Sequence, residues 1–376
     1  MICLENLEFV CPCHFGIESV LSGEIKRIGA ENIKTTDGRV QFSGGIEFLP
    51  RANLMLRTAE RVLLKMGEFE ANAFDELFEK TKSLPWENWI GKLDRFPVKG
   101  HSINSQLRSV PDCQSIIKKA VVDRLKQSYK VDWFSETGCL YQIQFSIIKN
   151  VVSLYIDTSG EGLHKRGYRK NSAVAPIKET LACGIIDLAH VKPFSIVYDP
   201  FCGSGTFLIE SALKSKNIAP GINRNFVSEQ WGQIGKDVWK SERLRAISLI
   251  RSDIDFRGIG LDIDEQAVEL SLNNSKKAGV DSIIKFKQRD IKKFNLNETE
   301  TGIVLCNPPY GERLLEKKQA ENIIKTMGKV FKKKKGWSYY IISPHKDFEK
   351  LFGRNCDKKR KLYNGMLKCN LFMYFK

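Results

Sequence analysis

Two hydrophobic periods divide the chain. Over the first 160 residues, apolar runs of period 2 mix with helical stripes. Glu8-Phe9-Val10, Ile33-Lys34-Thr35 and Val40-Gln41-Phe42 read as strands, and Ile17, Val20, Leu21, Ile25 and Ile28 line one face of a helix. Leu54, Leu56, Ala59, Val62 and Leu63 predict a helix over 50–66, and Phe74 to Thr81 another. Phe96-Pro97-Val98-Lys99 reads as an edge strand, because Pro97 has no N–H for a ladder. Pro111 opens a helix whose inner face is Ile116, Ile117, Ala120, Val121 and Leu125. Tyr141 to Phe145 alternates strictly, Lys149-Asn150 turns, and Val151 to Ile156 returns as a hairpin. This half predicts an α+β module without a catalytic constellation.

Beyond it, apolar strands alternate with helices, the pattern of an α/β domain. A helix from Pro176 to Leu188 precedes a strand, Phe194 to Val197, that ends at Asp199. A glycine turn and a helix follow. Residues 214–255 read as extra helix and loop, carrying Trp231, Trp239, Arg243 and Arg245. The strand Gly258 to Asp264 ends near Asp262, with Asp264 suited to cap the helix 265–278. The strand Ile283 to Lys287 runs into Asp290, and Gly302 to Cys306 runs into Asn307. A helix 320–331, a lysine run 332–335 and a strand Trp337 to Ile342 come next. Asn364-Gly365 between β-prone runs signals a closing hairpin.

Charge sharpens the division. The formal net charge is +16 over 376 residues. Residues 1–160 hold 20 basic and 20 acidic side chains; residues 161–376 hold 40 and 24, the whole excess. That implies a polyanionic partner for the second half. No run of about 18 apolar residues predicts a membrane span, and no secretory signal pattern opens the chain. Ten cysteines without a dense framework fit a reducing cytoplasm. Cys11-Pro12-Cys13 lacks a second pair at zinc spacing, so no metal site is expected.

Chemistry concentrates at the strand ends. Asp199-Pro200-Phe201-Cys202-Gly203-Ser204-Gly205-Thr206 is strand, acid, glycine turn and helix start. Gly203 and Gly205 let the backbone approach a ligand and adopt positive φ. The spacing departs from a dinucleotide fingerprint and from a phosphate-binding P-loop. Asn307-Pro308-Pro309-Tyr310 ends its strand rigidly, since neither proline can continue it. The Asn307 side-chain oxygen and the Pro308 carbonyl are two acceptors suited to the N–H bonds of a nucleobase amine, and Tyr310 is a ring suited to stack the base. By itself the tetrapeptide is also compatible with a strand-ending turn. At the junction, Leu163-His164-Lys165-Arg166-Gly167-Tyr168-Arg169-Lys170 packs cations and a ring as RNA binders do.

These motifs resemble known families. Residues from about 45 to 157, with Leu49 to Ala59 as the opening helix, look like a THUMP domain preceded by a ferredoxin-like piece. Asp199 to Thr206 is similar to the S-adenosylmethionine motif of class I methyltransferases. Asn307 to Tyr310 serves amine methylation in that class, and Leu163 to Arg169 and Leu362 to Gly365 resemble the junction and tail of THUMP-type rRNA methyltransferases. The resemblance implies a ferredoxin-like/THUMP RNA-binding module at 1–160, a basic linker at 161–175 and a methyltransferase domain at 176–376. The last would be Rossmann-like, with a mostly parallel seven-stranded sheet closed by an antiparallel hairpin.

It further implies methyl transfer from S-adenosyl-L-methionine, leaving S-adenosyl-L-homocysteine, to guanine N2 in 23S rRNA or a pre-ribosomal particle. Alternatives left open are tRNA, an adenine N6 amine in RNA or DNA, or a non-catalytic ribosome-assembly protein. The implied cofactor residues are Asp199, Phe201, Cys202, Gly203, Gly205, Thr206, Asp262, Ile263, Asp290 and Asn307, with Asn307, Pro308, Pro309 and Tyr310 catalytic. The expected RNA contacts are His164, Lys165, Arg166, Tyr168 and Arg169, with a patch at Arg51, Arg57, Arg61 and Lys65.

Overall fold

The computed structural model describes residues 6–169, 176–296, 300–311 and 314–376. The linker residues 170–175, including Lys170, lie outside the described residues. The first half runs β1 (Leu7–Pro12), α1 (Glu18–Arg27), β2 (Glu31–Thr36), β3 (Arg39–Gly44), α2 (Phe48–Met55), β4 (Leu63–Glu70), α3 (Phe74–Lys82), β5 (Val98–Ile103), α4 (Val110–Tyr129), β6 (Ile143–Ile148) and β7 (Val151–Asp157). Its strands form one sheet in the order β2-β3-β1-β4-β7-β6-β5, so the ferredoxin-like and THUMP portions share a ladder. The expected edge strand is indeed the edge, and the hairpin pairs Ile148 with Val151.

One element is corrected. The helix expected over 50–66 stops at Met55, where Leu56 turns extended (ψ 124°), and Leu63–Glu70 is a strand between β1 and β7. Leu54, Leu56, Ala59, Val62 and Leu63 are all buried, so the run carried no exposed face to fix its period.

The second half runs α5 (Glu179–Leu188), β8 (Ile196–Asp199), α6 (Thr206–Ser215), α7 (Lys236–Ser248), β9 (Arg257–Asp262), α8 (Glu265–Lys277), β10 (Ile284–Gln288), β11 (Gly302–Cys306), α9 (Leu314–Val330), β12 (Trp337–Ser343), α10 (Phe348–Phe352), β13 (Lys358–Asn364) and β14 (Leu367–Tyr374). The sheet order is β10-β9-β8-β11-β12-β14-β13, parallel except for the last two strands. From β8 the chain steps outward through β9 and β10, then returns to the other side of β8 as β11. The order therefore reverses between β8 and β11, the crevice where such sheets bind ligands. Pro176 precedes α5 instead of opening it. No helix among the described residues is long and apolar enough to cross a membrane.

The two halves interlock. Val20 of α1 and Ile17 at its N-cap join the second domain's core, and a Cβ on Gly184 of α5 would lie 2.1 Å from Ile17 Cδ1. In return, the insertion at 214–255 packs into the first module: Phe226, Trp231, Ile234 and Trp239 belong to its core. Trp231 stacks on Tyr141 with ring centroids 4.3 Å apart, and its Nε1–H donates to the Leu140 carbonyl. The insertion is a strap between domains, a role its sequence pattern did not disclose.

Candidate active site

The switch between β8 and β11 opens into a cavity of about 1110 Å³. Asp199, Phe201, Cys202, Gly203, Thr206, Asp262, Ile263, Asp290 and Asn307 to Tyr310 all line it. Gly205 stands behind the wall as the N-cap of α6.

The glycine turn is held by β9 and α8. Gly203 (φ 51°) and Gly205 (φ 80°) take left-handed conformations that disfavour a side chain. The Gly203 N–H donates to Asp262 Oδ2 at 2.9 Å, and Ser271 Oγ donates to the Gly203 carbonyl at 2.7 Å. The Cys202 N–H donates to the Leu261 carbonyl, and the buried Asn274 side chain donates to the Ser204 carbonyl. Ser271 and Asn274 were missed; they sit on α8 at helical spacing like any inward-facing polar residue. A Cβ on Gly205 would meet Phe286 at 3.2 Å.

Three carboxylates stand at successive strand ends. Asp199 is buried and accepts from the Phe201 N–H at 3.1 Å. Burial, with a smaller contribution from Asp262, holds its carboxyl well above the usual range against that hydrogen bond. Asp262 also accepts from the Asp264 N–H, and Asp264 caps α8 through the Gln266 N–H as predicted. Asp290 caps a short turn by accepting from the Lys292 N–H. Ile263 is largely exposed at the mouth. A backbone turn plus three spaced acids suits a ligand offering an ammonium, ribose hydroxyls and an adenine amine, and suits a diphosphate poorly.

At the end of β11, Tyr310 Oη donates to Asn307 Oδ1 at 2.5 Å and accepts from the Asn364 side-chain N–H at 3.2 Å. The tyrosine is thus pinned between the tetrapeptide and the β13–β14 hairpin, its ring partly buried against the core. An amide oxygen has two lone pairs, so one remains on Asn307 to accept from a ligand. Asn364 was read only as a turn residue, because the Asn-Gly signal already accounted for it.

The expected RNA-contacting residues fare differently and need correction. Arg51 clasps Glu242 of α7 (Nη2–Oε1 2.6 Å), and the buried Arg57 donates to the Ile218 carbonyl at 2.6 Å. Arg61 pairs with Asp157, and Lys65 with Glu8 at 3.2 Å. Arg166 is buried on Glu210 and the Arg57 carbonyl, Tyr168 donates to Glu210 at 3.0 Å, and Arg169 pairs with Glu179 at 2.9 Å. Arg57, Arg166 and Tyr168 are thus buried with partners of their own, and Arg51, Arg61, Lys65 and Arg169 are each paired with a carboxylate. Lys165 is exposed and pairs with Glu161.

His164 is half-buried beside Glu60, and burial lowers its pKa to about 4 despite that carboxylate. It is neutral at pH 7 and supplies no cation. The unfolded chain takes up this proton near pH 6.5 and the fold resists until about pH 4. Stability should therefore fall as pH drops from about 6.5 to 4. Urea midpoints of the wild type and His164→Gln across that window test this: the variant should show the shallower decline, and parallel curves would refute it.

The comparisons with known proteins agree with this geometry. The chain matches the RMKL-like methyltransferase domain family over residues 166–372, the RlmL ferredoxin-like domain over 8–63 and the THUMP domain over 71–157. It is 44% identical to YpsC of Bacillus subtilis, provisionally described as an RNA methyltransferase, across 99% of this chain and 97% of that one. It is 31% identical to the ribosomal RNA large subunit methyltransferase K/L of Desulfotalea psychrophila, spanning 98% of this chain but only 52% of that protein. The solved structure of SMU.472, a methyltransferase by description and complexed with SAH, superposes with a TM-score of 0.93 at 39% identity. That match covers 99% of this chain and 98% of the other. With its glycine turn, strand-end acids and Asn-Pro-Pro-Tyr tetrapeptide in one crevice, the chain belongs to the THUMP-containing, RMKL-like family of class I S-adenosylmethionine-dependent RNA methyltransferases.

Proposed function

We propose that this chain methylates the exocyclic N2 amine of a guanine in 23S rRNA, as naked RNA or within an assembling particle, in the cytoplasm. In this reading residues 1–160 hold the RNA, 161–175 join the parts and 176–376 carry the chemistry. The observation that carries it is Asn307 at the switch point, facing the same cavity as the glycine turn. The large-subunit target is supported by the names of the K/L relatives, of which this chain spans about half the length.

Asp199, Phe201, Cys202, Gly203, Gly205 and Thr206 would hold the methionyl end of S-adenosylmethionine, Asp262 and Ile263 its ribose, and Asp290 its adenine amine. When bound, that cofactor supplies an electrophilic methyl on a sulfonium. The guanine leaves its stack to enter the cavity. Asn307 and the Pro308 carbonyl accept from its two amine N–H bonds, which turns the nitrogen lone pair toward the methyl. Pro309 keeps the acceptors rigid and the Tyr310 ring covers the base. Little general base catalysis is required, because the methylated amine is acidic and sheds its proton afterwards. Most of the rate comes from positioning.

The test is transfer of labelled methyl from S-adenosylmethionine to protein-free large-subunit rRNA, tRNA and duplex DNA, with nucleoside analysis. N2-methylguanosine in rRNA supports the reading. Label in tRNA, or as N6-methyladenine, overturns the substrate and keeps the pocket.

A further inference from the structure

The β13–β14 hairpin reaches the cavity from the side opposite the glycine turn. Asn364 pairs with Leu367 across a two-residue turn, Gly365-Met366, with Gly365 at φ 61°. Gly365 and Leu367 line the cavity mouth beside the Asn307 tetrapeptide, and Asn364 is bonded to Tyr310. Between them, Met366 is 99% exposed at the tip. Met366 packs nothing, and a hairpin turn has no need of a long apolar side chain there. The tip is nevertheless stiff: β13 and β14 pair through seven consecutive positions, and β14 is anchored in the sheet by β12.

Cations flank this tip. Lys361 and Lys368 have no carboxylate partner among the described residues, and Lys361 lies over the Tyr363 ring at 5.3 Å. The arrangement is an apolar point between lysines, at the mouth of a cavity that must receive a base. A polyanion suits the lysines, and a gap in a base stack suits an unbranched thioether. Apolar side chains inserted between base steps serve this purpose in proteins that unstack nucleic acids.

We propose that Met366 is the wedge that opens the RNA at the target: it fills the space the extruded guanine leaves, while Lys361 and Lys368 hold the flanking phosphates. This rests on the reading that the chain methylates a base in RNA. Asn364 joins the wedge to the site, since the same hairpin end holds Tyr310. Seating of the tip and placement of the ring are then one event.

The experiment compares wild type, Met366→Ala and Met366→Leu. After wild-type label has been mapped on protein-free large-subunit rRNA, transfer is measured on a synthetic RNA duplex carrying the mapped guanine, either paired with cytosine or opposite a mismatch. Unstacking and unpairing cost more than about tenfold in population per step, so Met366→Ala should lose at least about tenfold in transfer to the paired guanine. It should recover most of this opposite the mismatch, and S-adenosylmethionine affinity should be unchanged. Met366→Leu should retain most activity on both. Equal rates for Met366→Ala and wild type on the paired duplex overturn the wedge, as does a loss that persists opposite the mismatch. Failure of the wild type to label any RNA is a separate result, and overturns the substrate reading itself.

Discussion

Asn307→Ala should lower methyl transfer to RNA by about 10²–10³-fold, with S-adenosylmethionine affinity within a few-fold of wild type. The size follows from what is removed. A preorganised polar group aimed at the reacting atoms contributes on this scale when it is deleted from a site. Here deletion takes away one of two acceptors for the amine, and with it the orientation of the lone pair. It also takes away the group on which Tyr310 Oη rests at 2.5 Å, so the ring loses its tether to β11 and keeps those to the β13–β14 hairpin. Tyr310→Phe separates these contributions, because it keeps the ring and frees the Asn307 oxygen. It should cost less than Asn307→Ala. Single-turnover transfer and equilibrium cofactor binding are the two readouts. Full activity in Asn307→Ala would remove the tetrapeptide from the chemistry. A loss matched by lost cofactor binding would make Asn307 a cofactor residue only.

The catalytic half was legible because its punctuation is local. Gly203 and Gly205 follow the strand that ends at Asp199, Asp262 closes β9, and Pro308-Pro309 ends β11. Each is a short-range signal of where the backbone must turn, and the α/β architecture then places all of them on one edge. The helix misread over 50–66 failed for the opposite reason. Leu54, Leu56, Ala59, Val62 and Leu63 are all buried, so neither period leaves a polar side to oppose them. The misassigned arginines failed because a cation looks the same in sequence whether it faces phosphate or a carboxylate far away along the chain. Arg51 meets Glu242, 191 positions on, and nothing near either residue announces the pair. The strap at 214–255 was likewise visible as aromatic and basic composition, while its target, Tyr141 and Trp89 of the other domain, was not.

Arg166→Ala should destabilise the chain by about 3–5 kcal/mol and leave the RNA affinity of the folded protein unchanged. The guanidinium donates to the Leu163 carbonyl at 2.6 Å and the Arg57 carbonyl at 2.5 Å, and stands 3.6 Å from Glu210, which is fully buried. Burial disfavours its charge, but Glu210 and the groups around it hold the arginine protonated. Truncation leaves the buried Glu210 carboxylate without its ion-pair partner, with hydrogen bonds from Tyr168 and Cys183. Removing one partner of a buried pair is costly because the other charge stays behind. Arg166→Lys should fall between, since an ammonium cannot reach both carbonyls and the carboxylate in one plane. Adding Glu210→Gln to Arg166→Ala should restore part of the loss, and the double-mutant cycle isolates the coupling. Urea denaturation followed by tryptophan fluorescence gives the stabilities. RNA affinity measured well below the unfolding transition gives the second readout. A variant of wild-type stability that binds RNA poorly would return Arg166 to the RNA surface. A destabilised variant that still binds RNA would fix it as the bolt of the domain seam.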